Sequence, residues 1–310
     1  MRDTDDISFA CVHSPVVVDF HCNAKGGEPI EPRELGEWGE PRSRMIGRSR
    51  EREGGRRDVA AGAAFARGGA IAAPYSAFAE VYDFLIGDPA FPALQKVFRE
   101  SVRRYGLTFR SLADVGCGTG GFLAQFCHVP IGLIGVDRSA SVLAIARRRL
   151  VGCPALLLRQ DIRALSFPRH VDLVTCRNKT INYLTVPRDL ARVFRAVARN
   201  LRRGGTFIFD FISRAAEMSR RARIRETIRL PGHEVSFAAT MEPARDLSVV
   251  RIRINSGHDP RDGVVEVHRQ RWFDASMIAG LLEASGFRVL DVRPVDGPDS
   301  AWRHVVARRV

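Results

Sequence analysis

The sequence predicts an α/β domain in which helices cover both faces of a mostly parallel sheet. Three observations carry this. Short apolar runs ending in Gly or Asp alternate with helical stretches; a glycine-rich turn directly follows the first run; and an acidic residue ends the second. At 310 residues, 45% of them hydrophobic, the chain can bury one large core and still leave a tail outside it.

Taken in order, residues 1–72 mix Gly, Arg, Glu and Pro without sustained periodicity, as in GGEPIEPRELGEWGEPRSR and GRSREREGGRRD. Such a segment buries too little apolar surface to offset chain entropy, so it is expected to be a disordered or poorly ordered tail, with one short strand over 15–20. From Tyr75 to Phe84, and again over 91–102, aromatic and aliphatic residues recur at helical spacing, which predicts two helices ahead of the sheet. Strands follow at 111–115, 131–136, 155–158, 171–176 and 206–211, separated by helical stretches. From about 222 to 270 the pattern becomes strand-like alternation, as in SVVRIRI, with turn signals at Pro231-Gly232 and Asp262-Gly263; this is an antiparallel β insert. A helix starts after Asp274 as N-cap and runs to Gly286, and strands at 287–292 and 304–307 close the domain of 73–310.

No run approaches the ~20 apolar residues of a membrane span, and the start, MRDTDD, is too acidic for a secretory signal, so a cytoplasmic enzyme without membrane contact is expected. The six cysteines form no CxxC pair, which suits free thiols in a reducing compartment. Cys11, His13, His21 and Cys22 lack the spacing of a structural zinc site, and no metal is expected. The formal charge of +13 comes almost entirely from arginine; the lysines are Lys25, Lys96 and Lys179. It reads as a solvated basic face, with the cluster Arg220, Arg221, Arg223, Arg225 and Arg229 as the place to look for an acidic ligand.

The segment LADVGCGTGGF, 112–122, sets a strand before glycines at 116, 118 and 120, where the chain turns tightly, a ligand can approach the peptide groups and a helix is expected to open. The same stretch satisfies GxGxxG through Gly116, Gly118 and Gly121, and Asp137 at the end of the second strand can hold ribose hydroxyls in either kind of nucleotide site. Three further features separate the two: Asp114 stands two residues before the first glycine, the third strand ends in RQDIRAL, and the fourth runs into VDLVTCRNKTINYL. Together they resemble the motifs of class I S-adenosylmethionine-dependent methyltransferases, over about 75–310. The resemblance implies a Rossmann-like doubly wound sheet of seven strands in the order 3-2-1-4-5-7-6, with S-adenosyl-L-methionine as cofactor. It also implies that Gly116, Gly118 and Gly120 line the methionine moiety, that Asp114 orders the loop and the amino end, and that Asp137 takes the ribose hydroxyls. Asp161 would contact the adenine amino group with Ile162 against the ring, and Cys117, Arg138 and Gln160 complete the expected contacts.

Within that superfamily the chain resembles small-molecule enzymes related to glycine and amino-sugar N-methyltransferases. YSAFAEVYD resembles their lid over the cofactor, which implies roles for Tyr75 and Tyr82; TINYL resembles their motif after strand four, which implies Asn182 and Tyr183; EVHRQRWF resembles a stretch before the last helix. Tyr75, Ala79 and Tyr82 equally fit a core stripe at helical spacing. Lys179 stands where a carboxylate is expected, which argues for an anionic acceptor. On an alternating strand Glu266, His268 and Gln270 share one face, so His268 is the candidate base or acceptor-binding group, against a satisfied structural histidine. The expected activity is SN2 methyl transfer to an N or O nucleophile of a small molecule. The alternatives are a nucleic-acid methyltransferase and a non-catalytic S-adenosylmethionine-binding protein; against the first, Asn178 is followed by Lys179-Thr180-Ile181 rather than Pro-Pro-aromatic, and Cys176 lacks a preceding Pro.

Overall fold

The computed structural model describes residues 70–214, 224–256, 263–295, 297–298 and 300–310. The zinc-like cluster at 11–22 and the strand at 15–20 lie outside the described residues, as do Arg220, Arg221 and Arg223.

One sheet has seven strands: β2 (Ser111–Val115), β3 (Gly132–Asp137), β4 (Ala155–Arg159), β5 (Val171–Cys176), β6 (Leu201–Ile212), β11 (Phe287–Pro294) and β12 (Trp302–Arg309). Their spatial order is β4-β3-β2-β5-β6-β12-β11, which is 3-2-1-4-5-7-6 when numbered along the chain. The first five run parallel, and the β12–β6 and β12–β11 pairs are antiparallel. All six residues of VDLVTC are buried, as expected for a central strand covered on both faces.

Alternation along the strands divides the core in two. Leu112, Leu133, Leu173 and Ile208 face α1 (Asp88–Arg104) and α2 (Ala140–Arg149) through Phe98, Val102 and Leu143. Ala113, Ile134, Val174 and Phe207 face α3 (Pro187–Asn200) and α4 (Ala275–Glu283) through Leu190, Phe194 and Ile278. In α3 the buried Leu190, Val193, Phe194 and Val197 recur at helical spacing, and Pro187 opens the helix where no N–H is needed.

A second, five-stranded sheet runs β1-β10-β9-β8-β7, from β1 (Ala70–Ala72), β7 (Ile224–Leu230), β8 (His233–Glu242), β9 (Leu247–Asn255) and β10 (Val264–Arg271). β1 pairs in parallel with β10, so Ala70–Ala72, expected within the tail, are sheet residues. Phe78, Val81 and Leu85 pack on Val235, Ile252 and Ile254 of this sheet.

Three other expectations are corrected. The stretch from Tyr75 to Phe84 is no α-helix: Tyr75 stands in the left-handed region at φ 62°, a 3-10 turn follows at Phe78–Glu80 and a π-helical turn at Asp83–Gly87, while the N–H groups of Tyr75, Ser76 and Phe78 bond to the Glu266 carboxylate of β10. No α-helix opens after the glycine turn either; Leu123–Phe126 form a 3-10 turn, since little chain remains before Pro130, which has no N–H to give. Cys127 and Cys153 form a disulfide, while Cys117 and Cys176 are free and buried. A disulfide is uncommon in a reducing compartment, so the cysteine argument for one falls.

Candidate functional site

A cavity of about 220 Å³ opens at the carboxyl edge of β2, β3 and β5, where doubly wound sheets place ligands. Its floor is the glycine turn. Gly116 has φ 75°, and a Cβ there would lie 2.5 Å from Thr180 Cγ2, so only glycine lets the turn and the loop after β5 approach this closely. The N–H groups of Gly116 and Cys117 donate to the Val136 carbonyl at 2.7 and 2.9 Å, which binds the turn to β3. At the end of β3, Asp137 accepts from the Gly118 N–H at 3.1 Å and the Ser139 N–H at 2.9 Å, leaving each oxygen a further lone pair. Burial raises its pKa; the hydrogen bonds from Ser139 and Gly118 act against that.

The opposite wall is aromatic. Tyr75 and Tyr82 come from the segment before α1, and Tyr183 from the 3-10 turn Thr180–Tyr183. The Tyr183 hydroxyl lies 2.8 Å from both Tyr75 Oη and His268 Nδ1, and His268 Nε2 lies 3.0 Å from Glu266 Oε2. Glu266 is fully buried and also accepts from the N–H groups of Tyr75, Ser76 and Phe78 at 2.7, 3.1 and 2.8 Å. Burial pushes its carboxyl up, but hydrogen bonds from His268, Phe78 and Tyr75 outweigh it and hold the group below the usual range.

Ionised Glu266 can only accept, so His268 Nε2 carries a proton and donates to it. Tyr183, whose pKa burial pushes up to about 12, keeps its proton and lies within hydrogen-bond reach of both His268 Nδ1 and the Tyr75 hydroxyl. His268 is 3% exposed and does not line the cavity; it stands behind Tyr183 and Tyr75, which do.

Of the residues expected from sequence, Tyr75, Tyr82, Gly116, Gly118, Asp137, Arg138, Asp161, Ile162 and Tyr183 line one cavity. The others stand behind it. Asp114 is buried and accepts from Thr175 Oγ1 at 2.6 Å. Cys117 turns its thiol into the core, and Gly120 faces Leu150 and Ala146. Gln160 is bonded at both ends to the backbone of Ser166. Asn182 is no catalytic group: its amide bridges Ile212 N and O and the Arg271 carbonyl, at 2.9, 3.3 and 2.6 Å, and fastens β6 to β10. Asp161 is engaged by Arg163 through two side-chain bonds and one backbone bond, and those bonds hold its carboxyl below the usual range. Lys179 places its ammonium 4.5 Å from the centroid of the Trp302 ring and does not line the cavity, which removes it as an argument for an anionic acceptor. Of the arginine cluster, Arg229 pairs with Glu234 at 3.1 Å.

Sequence reasoning missed Asp210, which accepts from the N–H groups of Asn178 and Lys179 and from Trp302 Nε1, and so sets the left-handed turn at those two residues. It also missed Glu266 as the anchor of the segment over the cavity. Only its buried position on an alternating strand could have pointed to it.

Residues 112–205 match the family described as "Methyltransferase domain". The chain carries an S-adenosylmethionine-dependent methyltransferase domain. It is 27% identical over 222 residues to the putative methyltransferase YqeM of Bacillus subtilis, covering 69% of this chain and 87% of that protein. Over 101 residues it is 35% identical to the dTDP-4-amino-2,3,4,6-tetradeoxy-D-glucose N,N-dimethyltransferase of Saccharopolyspora spinosa, covering 33% of this chain and 40% of that one. The structure of an S-adenosylmethionine-dependent methyltransferase from Clostridium acetobutylicum superposes with a TM-score of 0.66 at 25% identity, covering 76% of this chain and 98% of that one.

The methyltransferase cavity fits the cofactor on its own terms. An oriented carboxylate at the strand end suits a ribose diol, Ile162, Val142 and Leu184 give apolar walls for a purine, and the glycine turn leaves room for a chain to lie against its peptide groups.

Proposed function

We propose that the protein methylates an amine or hydroxyl of a small molecule, with S-adenosylmethionine held between the glycine turn and Asp137. S-adenosylmethionine, when bound, supplies an electrophilic methyl on a sulfonium, so the chain has to align a nucleophile and exclude water. The observation that carries the reading is the facing arrangement of Asp137 and the glycine turn on one wall and the Tyr183–His268–Glu266 line on the other. Tyr183 offers an oxygen lone pair to an acceptor N–H or O–H. A proton lost from the acceptor passes to Tyr183 as the Tyr183 proton moves to His268 Nδ1, where Glu266 stabilises the imidazolium. His268 thus serves as the base at one remove. The named amino-sugar substrate of the Saccharopolyspora relative supports an amine as the acceptor.

The test is incubation with methyl-labelled cofactor and separate metabolite and RNA fractions. Label is expected in small molecules, and label in RNA overturns the reading. Once an acceptor is in hand, His268→Ala is expected to lower turnover by about 10²- to 10⁴-fold while S-adenosylhomocysteine affinity is unchanged.

A further inference from the structure

The segment over the cavity, Tyr75 to Asp83, is fastened at both ends to one helix. At its start the Tyr75 carbonyl accepts from Ser139 Oγ at 2.8 Å, and Ser139 is the N-cap of α2. At its far end Asp83 accepts from Arg149 Nη2 at 2.7 Å and from Thr119 Oγ1 at 2.6 Å. Arg149, the last residue of α2, also donates to Thr119 Oγ1 at 3.0 Å. Thr119 belongs to the glycine turn, so the same helix end braces both the lid and the floor of the cavity. Leu150 and Ala146 complete the contact: a Cβ on Gly120 would lie 3.1 Å from Leu150 Cδ1 and 3.3 Å from Ala146 Cβ.

The ion pair in this brace is weak by itself. Arg149 and Asp83 are 32% and 20% exposed, and solvent screens such a pair. The covalent bond next to it is not screened. The Cys127–Cys153 disulfide joins the end of the 3-10 turn Leu123–Phe126 to the loop that follows α2, with the Cα atoms 4.9 Å apart. It closes a loop that contains all of β3 and α2, and with them Asp137, Arg138, Ser139 and Val142 of the cavity wall. Both cysteines are half-buried, beside the exposed His128 and Gly152, so the bond borders solvent. Burial pushes the thiols of Cys117 and Cys176 up, which keeps those two protonated and unreactive.

We propose that the Cys127–Cys153 pair is a redox switch on the cavity: oxidised, it holds the end of α2 on the glycine turn and keeps the lid shut; reduced, it frees both. The inference rests on the reading of the cavity as an S-adenosylmethionine site and adds a control of that site. The reaction partner is a dithiol. One of its thiolates attacks the Sγ of either cysteine and displaces the other; its second thiolate then breaks the mixed disulfide. Two electrons and two protons pass to the cysteines, which become thiols, and the dithiol leaves as its own disulfide.

Calorimetry on the full chain would compare S-adenosylhomocysteine affinity after oxidation with oxidised glutathione and after reduction with dithiothreitol. Reduction is expected to weaken binding about 10-fold, within the usual range for coupled sites. Coupling is reciprocal, so saturating S-adenosylhomocysteine is expected to make the bond harder to reduce by the same factor, about 30 mV for a two-electron couple. Thiol trapping in glutathione mixtures of set ratio reads that shift. Cys127→Ser and Cys153→Ser are each expected to bind as the reduced wild type does and to ignore the reductant. A bond that serves the fold alone would lower the melting temperature on reduction, leave affinity unchanged and titrate at the same potential with and without ligand, which overturns the proposal. A pair that stays as thiols under oxidised glutathione overturns it as well. So does a Cys127→Ser protein that still responds to dithiothreitol, since the response then comes from other cysteines. A wild type that binds S-adenosylhomocysteine in neither state fails the cofactor reading itself, and the switch with it.

Discussion

The two sheets contribute to the cavity in different ways. The seven-stranded sheet presents backbone: glycine peptide groups, strand ends and one carboxylate, Asp137, held by two N–H groups. The five-stranded sheet presents side chains, Glu266 and His268, from inside its buried face, and uses them to hold the segment of Tyr75 and Phe78 over the opening. The first arrangement is local and tolerates a partner's absence; the second joins residues nearly two hundred positions apart and depends on every member. Loss of one member should therefore cost more fold in the second sheet and more ligand affinity in the first.

The largest effect is expected at Glu266→Gln. The amide can accept on one side only, so its NH₂ must face donors, and breaking a buried charged network costs about 3 to 5 kcal/mol. Urea titration should show that loss; a variant as stable as the wild type would mean that the lid segment is held by Phe78, Val81 and Leu85 alone.

Asp114 comes next and has the opposite sign. Burial, opposed by the Thr175 hydrogen bond and Arg177, raises its pKa from 3.8 to about 6. An acid with a higher pKa in the folded state loses stability as pH rises from the unfolded value through the folded one, because the unfolded chain releases the proton first. Above pH 6 the shift amounts to about 3 kcal/mol against folding. Asp114→Asn is expected to stabilise the ligand-free protein by up to that amount at pH 8 and by little at pH 4, and denaturation at both pH values checks it.

Asp137→Ala reads the other side of the comparison. It should weaken S-adenosylhomocysteine by about 1 to 3 kcal/mol while the melting temperature stays nearly constant, and calorimetry with equal affinities would remove Asp137 from the ligand site. The smallest effect is expected at Arg163→Ala. Its pairs with Asp161 and Asp189 are partly exposed and screened, so stability should change by less than about 1 kcal/mol, and a larger loss in thermal melts would show that the pair supports the cavity rim.

Much of the first sheet was legible because its signals are local. Strands, turn glycines and Asp137 follow one another within a few residues, and backbone geometry fixes what each can do. The second sheet was legible as alternation only. That Glu266 and His268 share a face followed from the strand period; that this face lies under Tyr75 and Tyr183 did not, because strand alternation says which residues point together and never at what. The helix expected over Tyr75–Phe84 failed on long-range contacts of the same kind: the segment is fastened to Glu266 on a distant strand and packs through Phe78 and Val81 on the second sheet, neither of which its own spacing shows.

The sequence by itself determined the doubly wound architecture, the glycine turn and the acidic strand end, since these depend on backbone preferences and short spacings. Tertiary structure decided which polar residues face the cavity and which only brace it: Asn182 became a clamp, Lys179 settled on Trp302, and Arg177 stacked on Phe122. Those outcomes depend on which side chains from separate strands and loops meet in an enclosed space, where every donor and acceptor must be answered, and no local pattern carries that information.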